Sequence, residues 1–146
     1  MGLYHNLSAT ITKMTSDLRR ERNSVSNLKA HLVFVTKNRR HVLTSEGLAV
    51  LEKSFSDVAK KMNFQVIEFN GESDHVHLLI EFPPKLSISQ IVNALKGVSS
   101  RRYGQANLPK PYGKDSLWSP SYFASTVGGA TIEILKLYIQ NQLKPS

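Results

Sequence analysis

The stretch FQVIEFNGESDHVHLLIEFPP, residues 64–84, decides the fold. β-Branched and aromatic residues flank Asn70-Gly71, a pair that admits the positive φ values of tight hairpin turns, so two antiparallel strands are expected. Pro83-Pro84 ends the second strand, because proline has no N–H to give the ladder. Alternate strand residues share a face. Val76, Leu78, Ile80 and Phe82 therefore form an apolar face, and His75, His77, Leu79 and Glu81 form the other. The apolar set must face a core. The two histidines then lie on the uncovered face of the sheet, with Cα atoms roughly 6.5–7 Å apart at about 3.3 Å of rise per residue. Both imidazoles can turn toward one ion, although a half-exposed strand that merely includes two histidines fits the same pattern.

Working outward, LKAHLVFVTK (28–37) reads as an earlier strand followed by a basic turn, KNRR. TSEGLAVLEKSFSDVAKKMN reads as a helix, with Thr44 or Ser45 as N-cap and Leu48, Leu51, Phe55, Val58 and Met62 on one face. Ile88, Ile91, Val92 and Leu95 mark a second helix. LWSPSYFASTV (117–127) is expected as a last strand, followed by Gly128-Gly129 and a terminal helix, ATIEILKLYIQNQLK. The order strand, helix, strand, strand, helix, strand, helix predicts an α+β, ferredoxin-like antiparallel sheet with helices on one face. Residues 1–27, rich in Ser, Thr and Asn, are expected to form a flexible arm, and 28–146 a single domain.

The chain has 146 residues and no cysteine, so disulfides and thiolate metal sites are excluded and a reducing cytoplasm is the expected location. The first twenty residues lack the apolar core of a signal peptide, and no apolar run is long enough for a membrane span. The net charge is +8. Residues 1–27 hold four basic and two acidic side chains, so +6 of that charge belongs to the domain. Such a balance favours polyanionic partners, nucleic acid above all.

Tyr138 and Gln142 lie four residues apart on the terminal helix, hence on the same face one turn from each other. They could approach a site together, or serve as an amphipathic core residue and a solvated amide.

Taken in order and spacing, HLVFVTKNRR, NGESDHVHLLIEFPPKLSISQ, LKGVSSRR, LWSPSYFASTVGGA and YIQNQ resemble the single-tyrosine transposases of the insertion sequence 200/605 type. These belong to the HUH superfamily, named for a His-hydrophobic-His strand. The resemblance runs from about Leu28 to Leu143, and the arm before it looks longer than the family's. It implies that His75, His77 and Gln142 are metal ligands and that Tyr138 is the nucleophile. It also implies a homodimer that cuts and rejoins single-stranded DNA beside hairpins at element ends, through a 5′-phosphotyrosine link. Mg²⁺ or Mn²⁺ is the implied metal. Gly128-Gly129 would serve as a hinge for the tyrosine helix.

A tyrosine with a pKa near 10 is phenolate in only about one molecule in a thousand at pH 7, so a nucleophilic Tyr138 needs help from a cation that polarises the phosphate. Candidate phosphate contacts fall in two clusters: Lys37, Arg39 and Arg40 after the first strand, and Lys96, Arg101 and Arg102 on or after the second helix. Asp74 and Glu81 are close enough in sequence to hold the histidines or act as a weak base, but solvated strand-end carboxylates are the expected reading, and His5, His31 and His41 are not assigned to metal. A relative acting on chromosomal repeats, and a non-catalytic nucleic-acid module using the open sheet face, remain as alternatives.

Overall fold

The computed structural model describes residues 18–110, 116–127 and 137–142. Its elements are β1 (Arg19–Glu21), β2 (Ser24–Ser26), β3 (Lys29–Val35), α1 (Ser45–Met62), β4 (Gln65–Gly71), β5 (His75–Glu81), α2 (Ile88–Gln105) and β6 (Phe123–Thr126). Residues 137–140 are helical. The main sheet runs β4-β5-β3-β6, with every neighbouring pair antiparallel. This is the expected α+β sheet with its helices on one face.

Both helices start where their caps dictate. Thr44 accepts a hydrogen bond from the Gly47 N–H at 3.0 Å. Ser87 and Gln90 form a reciprocal capping box. α1 stops at Asn63, whose left-handed backbone (φ 63°) a short amide side chain tolerates. The core lies between the helices and the sheet. Leu51, Phe55 and Val58 of α1 and Ile91, Val92 and Leu95 of α2 meet Ala30, Leu32 and Phe34 of β3 and Val76, Leu78 and Ile80 of β5. At roughly 1.5–3 kcal/mol per large side chain removed from water, this layer dominates the stability of the domain.

Three expectations change. The segment 117–122 pairs only in part: Trp118 bridges Thr36 and the Ser119 N–H bonds the Val35 carbonyl at 2.8 Å, but β6 begins only at Phe123, three residues beyond Pro120, and the Trp118 side chain turns into the core, where its indole N–H donates to Ser99 Oγ at 2.9 Å. Residues 18–27 are not a free arm. They hold the β1–β2 hairpin, which Arg19 ties to the domain by two 2.7 Å hydrogen bonds to Glu81. Glu81 is accordingly buried rather than solvated.

The second face of the sheet is also not bare. Arg19 of the hairpin covers one end of β5, while Tyr138 and Ile139 pack on Val33 and Val35 of β3. Residues 1–17 and 111–115, the Gly128-Gly129 pair, and residues 130–136 and 143–146 of the expected terminal helix and its end lie outside the described residues. Among the described residues no helix is long and apolar enough to cross a membrane.

Candidate active site

The site grows from the register of two strands. On β5, His75 stands opposite Val35 of β3, and His77 stands opposite Val33. Val33 and Val35 are the residues on which Tyr138 and Ile139 pack. Tyr138 therefore lies on the histidines' face of the sheet, over the adjacent strand, about 4.8 Å away in the pairing direction. Its ring meets Phe123 of β6 with centroids 5.2 Å apart. Burial raises its pKa above the usual tyrosine value, against a smaller opposing effect of the Ser121 hydroxyl.

Ser121 links the two residues of the terminal segment. Its Oγ donates to Gln142 Oε1 at 3.1 Å and lies 3.4 Å from Tyr138 Oη. Lys96 holds this segment in place, with its ammonium 2.6 Å from the Ser119 carbonyl and 3.3 Å from that of Ser121. The same ammonium sits over the rings of Phe34 and Tyr122, and burial lowers its pKa. Lys96, expected as a phosphate contact, thus spends two of its three donors on backbone carbonyls of the protein.

The histidines have their own partners. Asp74 Oδ1 lies 2.8 Å from His75 Nδ1, and Oδ2 accepts from Arg39 Nε at 3.2 Å. Asp74 is only 4% exposed. Burial opposes its ionisation, but the hydrogen bonds from His75 and Arg39 outweigh burial and hold the carboxyl below its usual pKa. A solvated carboxylate was expected here, and the turn that follows β3 explains the difference. Thr36 N–H bonds the Asp74 carbonyl at 2.9 Å, which folds residues 36–40 over the start of β5.

His77 meets a residue that alternation alone did not bring to it: His31 Nδ1 is 3.0 Å from His77 Nε2. Burial lowers the His77 pKa, and His31 and His75 act in the same direction.

The two basic clusters separate. Lys37 and Arg39 form a 3-10 turn beside Asp74, with Asn38 and Arg39 at φ 56° and 54° and Arg40 following at once. Arg101 and Arg102 line a cleft between α1 and α2 with Lys61, in the helical layer behind the sheet. Arg102 pairs with Asp57 at 2.6 Å, whereas Arg101 is exposed.

Among the described residues no three His, Asp or Glu side chains form a metal cage. The described residues offer two imidazoles on one sheet face, with the Gln142 amide held through Ser121 beside Tyr138. Fixing one nitrogen of a histidine by a carboxylate, as Asp74 does for His75, leaves the other nitrogen to ligate, and this is how metal-binding imidazoles are held. The residues fit an open site that phosphate oxygens and water would complete.

The paired histidines of β5 and the tyrosine packed over β3 thus share the second face of one helix-backed antiparallel sheet. The family model described as "Transposase IS200 like" matches residues 24–142, and the chain belongs to that family. It is 34% identical over 128 residues to the ISDra2 transposase TnpA of Deinococcus radiodurans, covering 86% of this chain and 91% of that one. It is also 34% identical over 120 residues to the transposase for insertion sequence element IS200 of Salmonella typhimurium, covering 81% and 78%. A crystal structure of a candidate transposase from D. radiodurans superposes with a TM-score of 0.78 at 32% identity, over 88% of this chain and 99% of that one. A REP-associated tyrosine transposase bound to a REP hairpin shares the fold, with a TM-score of 0.54 at 13% identity, over 83% and 67%.

Proposed function

We propose that this transposase cleaves and rejoins single-stranded DNA at hairpin-marked element ends, with Tyr138 as the nucleophile and His75, His77 and Gln142 as ligands of Mg²⁺ or Mn²⁺. The observation that carries the reading is the packing of Tyr138 on Val33 and Val35, the positions paired with His77 and His75. A divalent ion bound there would polarise the scissile phosphate and stabilise charge on the departing 3′ oxygen.

Tyr138 attacks phosphorus through its Oη, the bond to the 3′ oxygen breaks, and a 5′-phosphotyrosine and a free 3′-OH result. Because the ester keeps the energy of the phosphodiester, another 3′-OH can reverse the attack and join new ends without ATP. Ser121 supports this role by bridging the phenol and the Gln142 amide. Asp74 supports it by orienting His75. Lys37, Arg39, Arg40, Arg101 and Arg102 are the proposed phosphate contacts, and Lys96 positions the Ser121 segment. The same reading makes the protein a homodimer whose two subunits share active sites.

The test is a covalent-adduct assay with labelled single-stranded DNA from the element end, in Mn²⁺ or EDTA, comparing wild type with Tyr138→Phe. A denaturation-resistant protein–DNA band that needs Mn²⁺ and vanishes in Tyr138→Phe is expected. Cleavage that survives in Tyr138→Phe would sink the assignment of the nucleophile.

A further inference from the structure

The contact between His31 and His77 is used neither by the core nor by the site as described so far. His31 stands on β3 opposite Leu79, two positions along the strand from Val33, which faces His77. On the outer face, His31 therefore lies beyond His77 on the side away from His75. Its Nδ1 is 3.0 Å from His77 Nε2, and the two rings stack at 25° with centroids 5.2 Å apart. The neighbouring outer-face residues of β3, Val33 and Val35, are apolar and buried. An imidazole at position 31 thus replaces what would otherwise be one more packing residue.

A neutral imidazole carries one N–H and one lone pair. If His77 donates its Nε2 proton to His31 Nδ1, the lone pair that remains lies on His77 Nδ1. The reverse arrangement would put the His77 proton on Nδ1 and leave it no nitrogen for a cation. We propose that His31 is a positioning residue of the metal site, which fixes the His77 ring and holds it in the tautomer whose Nδ1 lone pair is free. The inference rests on the metal reading given under Proposed function. It completes a symmetry: Asp74 holds His75 by Nδ1 and leaves Nε2, while His31 holds His77 by Nε2 and leaves Nδ1. Because it lies on the far side of His77 from His75, His31 braces the pair rather than joining it as a third ligand.

The experiment is a Mn²⁺ titration of the DNA-free protein by electron paramagnetic resonance, on wild type, His31→Leu and His31→Asn, with thermal melts alongside. Leu keeps apolar packing but no acceptor, whereas Asn can offer its amide oxygen near the position of Nδ1. His31→Leu is expected to bind Mn²⁺ about 10- to 100-fold more weakly, the usual effect of losing such a partner, with His31→Asn nearer wild type. Nitrogen-15 histidine spectra of the metal-free wild type should show the His77 proton on Nε2. Wild-type affinity in His31→Leu, equal losses in both variants, or a His77 proton on Nδ1 would overturn the role of His31 alone. A wild-type chain that takes up no Mn²⁺ overturns the metal reading beneath it.

Discussion

Asp74 Oδ1 lies 2.8 Å from the Nδ1 of His75, its neighbour in sequence, and its other oxygen is held by Arg39 at 3.2 Å. The basic turn after β3 is thereby coupled to the orientation of a proposed metal ligand. Asp74→Ala should weaken Mn²⁺ binding by about 10- to 100-fold, whereas Asp74→Asn, which keeps an acceptor for the His75 N–H, should lose less. Adduct formation in Asp74→Ala should recover as Mn²⁺ is raised, which separates lost affinity from lost chemistry. An Mn²⁺ isotherm for Asp74→Ala that overlays wild type would refute the coupling.

Lys96 and Arg101 lie five residues apart on α2 but do different work. Lys96 spends two of its three donors on the Ser119 and Ser121 carbonyls, while Arg101 faces solvent. Each phosphate neutralised by a side chain contributes roughly 0.7 to 0.9 to the slope of log affinity against log salt. Arg101→Ala should therefore flatten that slope by about this amount for a hairpin oligonucleotide. Lys96→Met should leave the slope alone and instead lower adduct yield, by loosening the segment that carries Ser121. Filter-binding titrations over a range of salt decide between the two roles, and a flattened slope in Lys96→Met would return that lysine to the DNA.

Much of the frame was legible in the chain because its signals are local. The Asn70-Gly71 turn, the alternation through His75–Glu81 and the cap at Thr44 each act within a few residues. The shared face of His75 and His77 follows from the same alternation. What stayed hidden depends on pairings distant in sequence. His31 reaches His77 only through the register of β3 on β5, across 46 residues. Asp74 is buried because residues 36–40 fold over it, and nothing in DHVH announces that. Lys96 lies on a helical segment whose basic end looked like a DNA contact, and only the return of residues 119–121 shows what it holds.

Arg19 and Glu81 form a bidentate pair across 62 residues, with side chains 12% and 9% exposed. Removing one partner strands the other charge in a poorly solvated place. Arg19→Ala should cost about 3 kcal/mol, the low end for breaking a buried pair, because some solvent still reaches both groups. Replacing both residues, as Arg19→Met with Glu81→Leu, should recover most of that loss. Urea unfolding of the single and double variants measures both. Additive losses would mean that the hairpin is held by something other than this pair.

Tyr138 is half-buried against Phe123, Val33 and Val35, and that burial raises its pKa. The Ser121 hydroxyl, 3.4 Å away, favours the phenolate but offsets only part of this effect. The folded environment favours the neutral phenol, so Tyr138 should be less than half ionised at pH 10, where an unperturbed tyrosine is half ionised. In a carbon-13 tyrosine titration of the metal-free protein, the midpoint of the Tyr138 resonance should therefore lie above 10. Ser121→Ala should push the midpoint higher still and reduce adduct yield by about 3- to 10-fold, the worth of one modest hydrogen bond. A Tyr138 midpoint below 10 in the metal-free chain would mean that the protein itself, without a cation, activates the nucleophile.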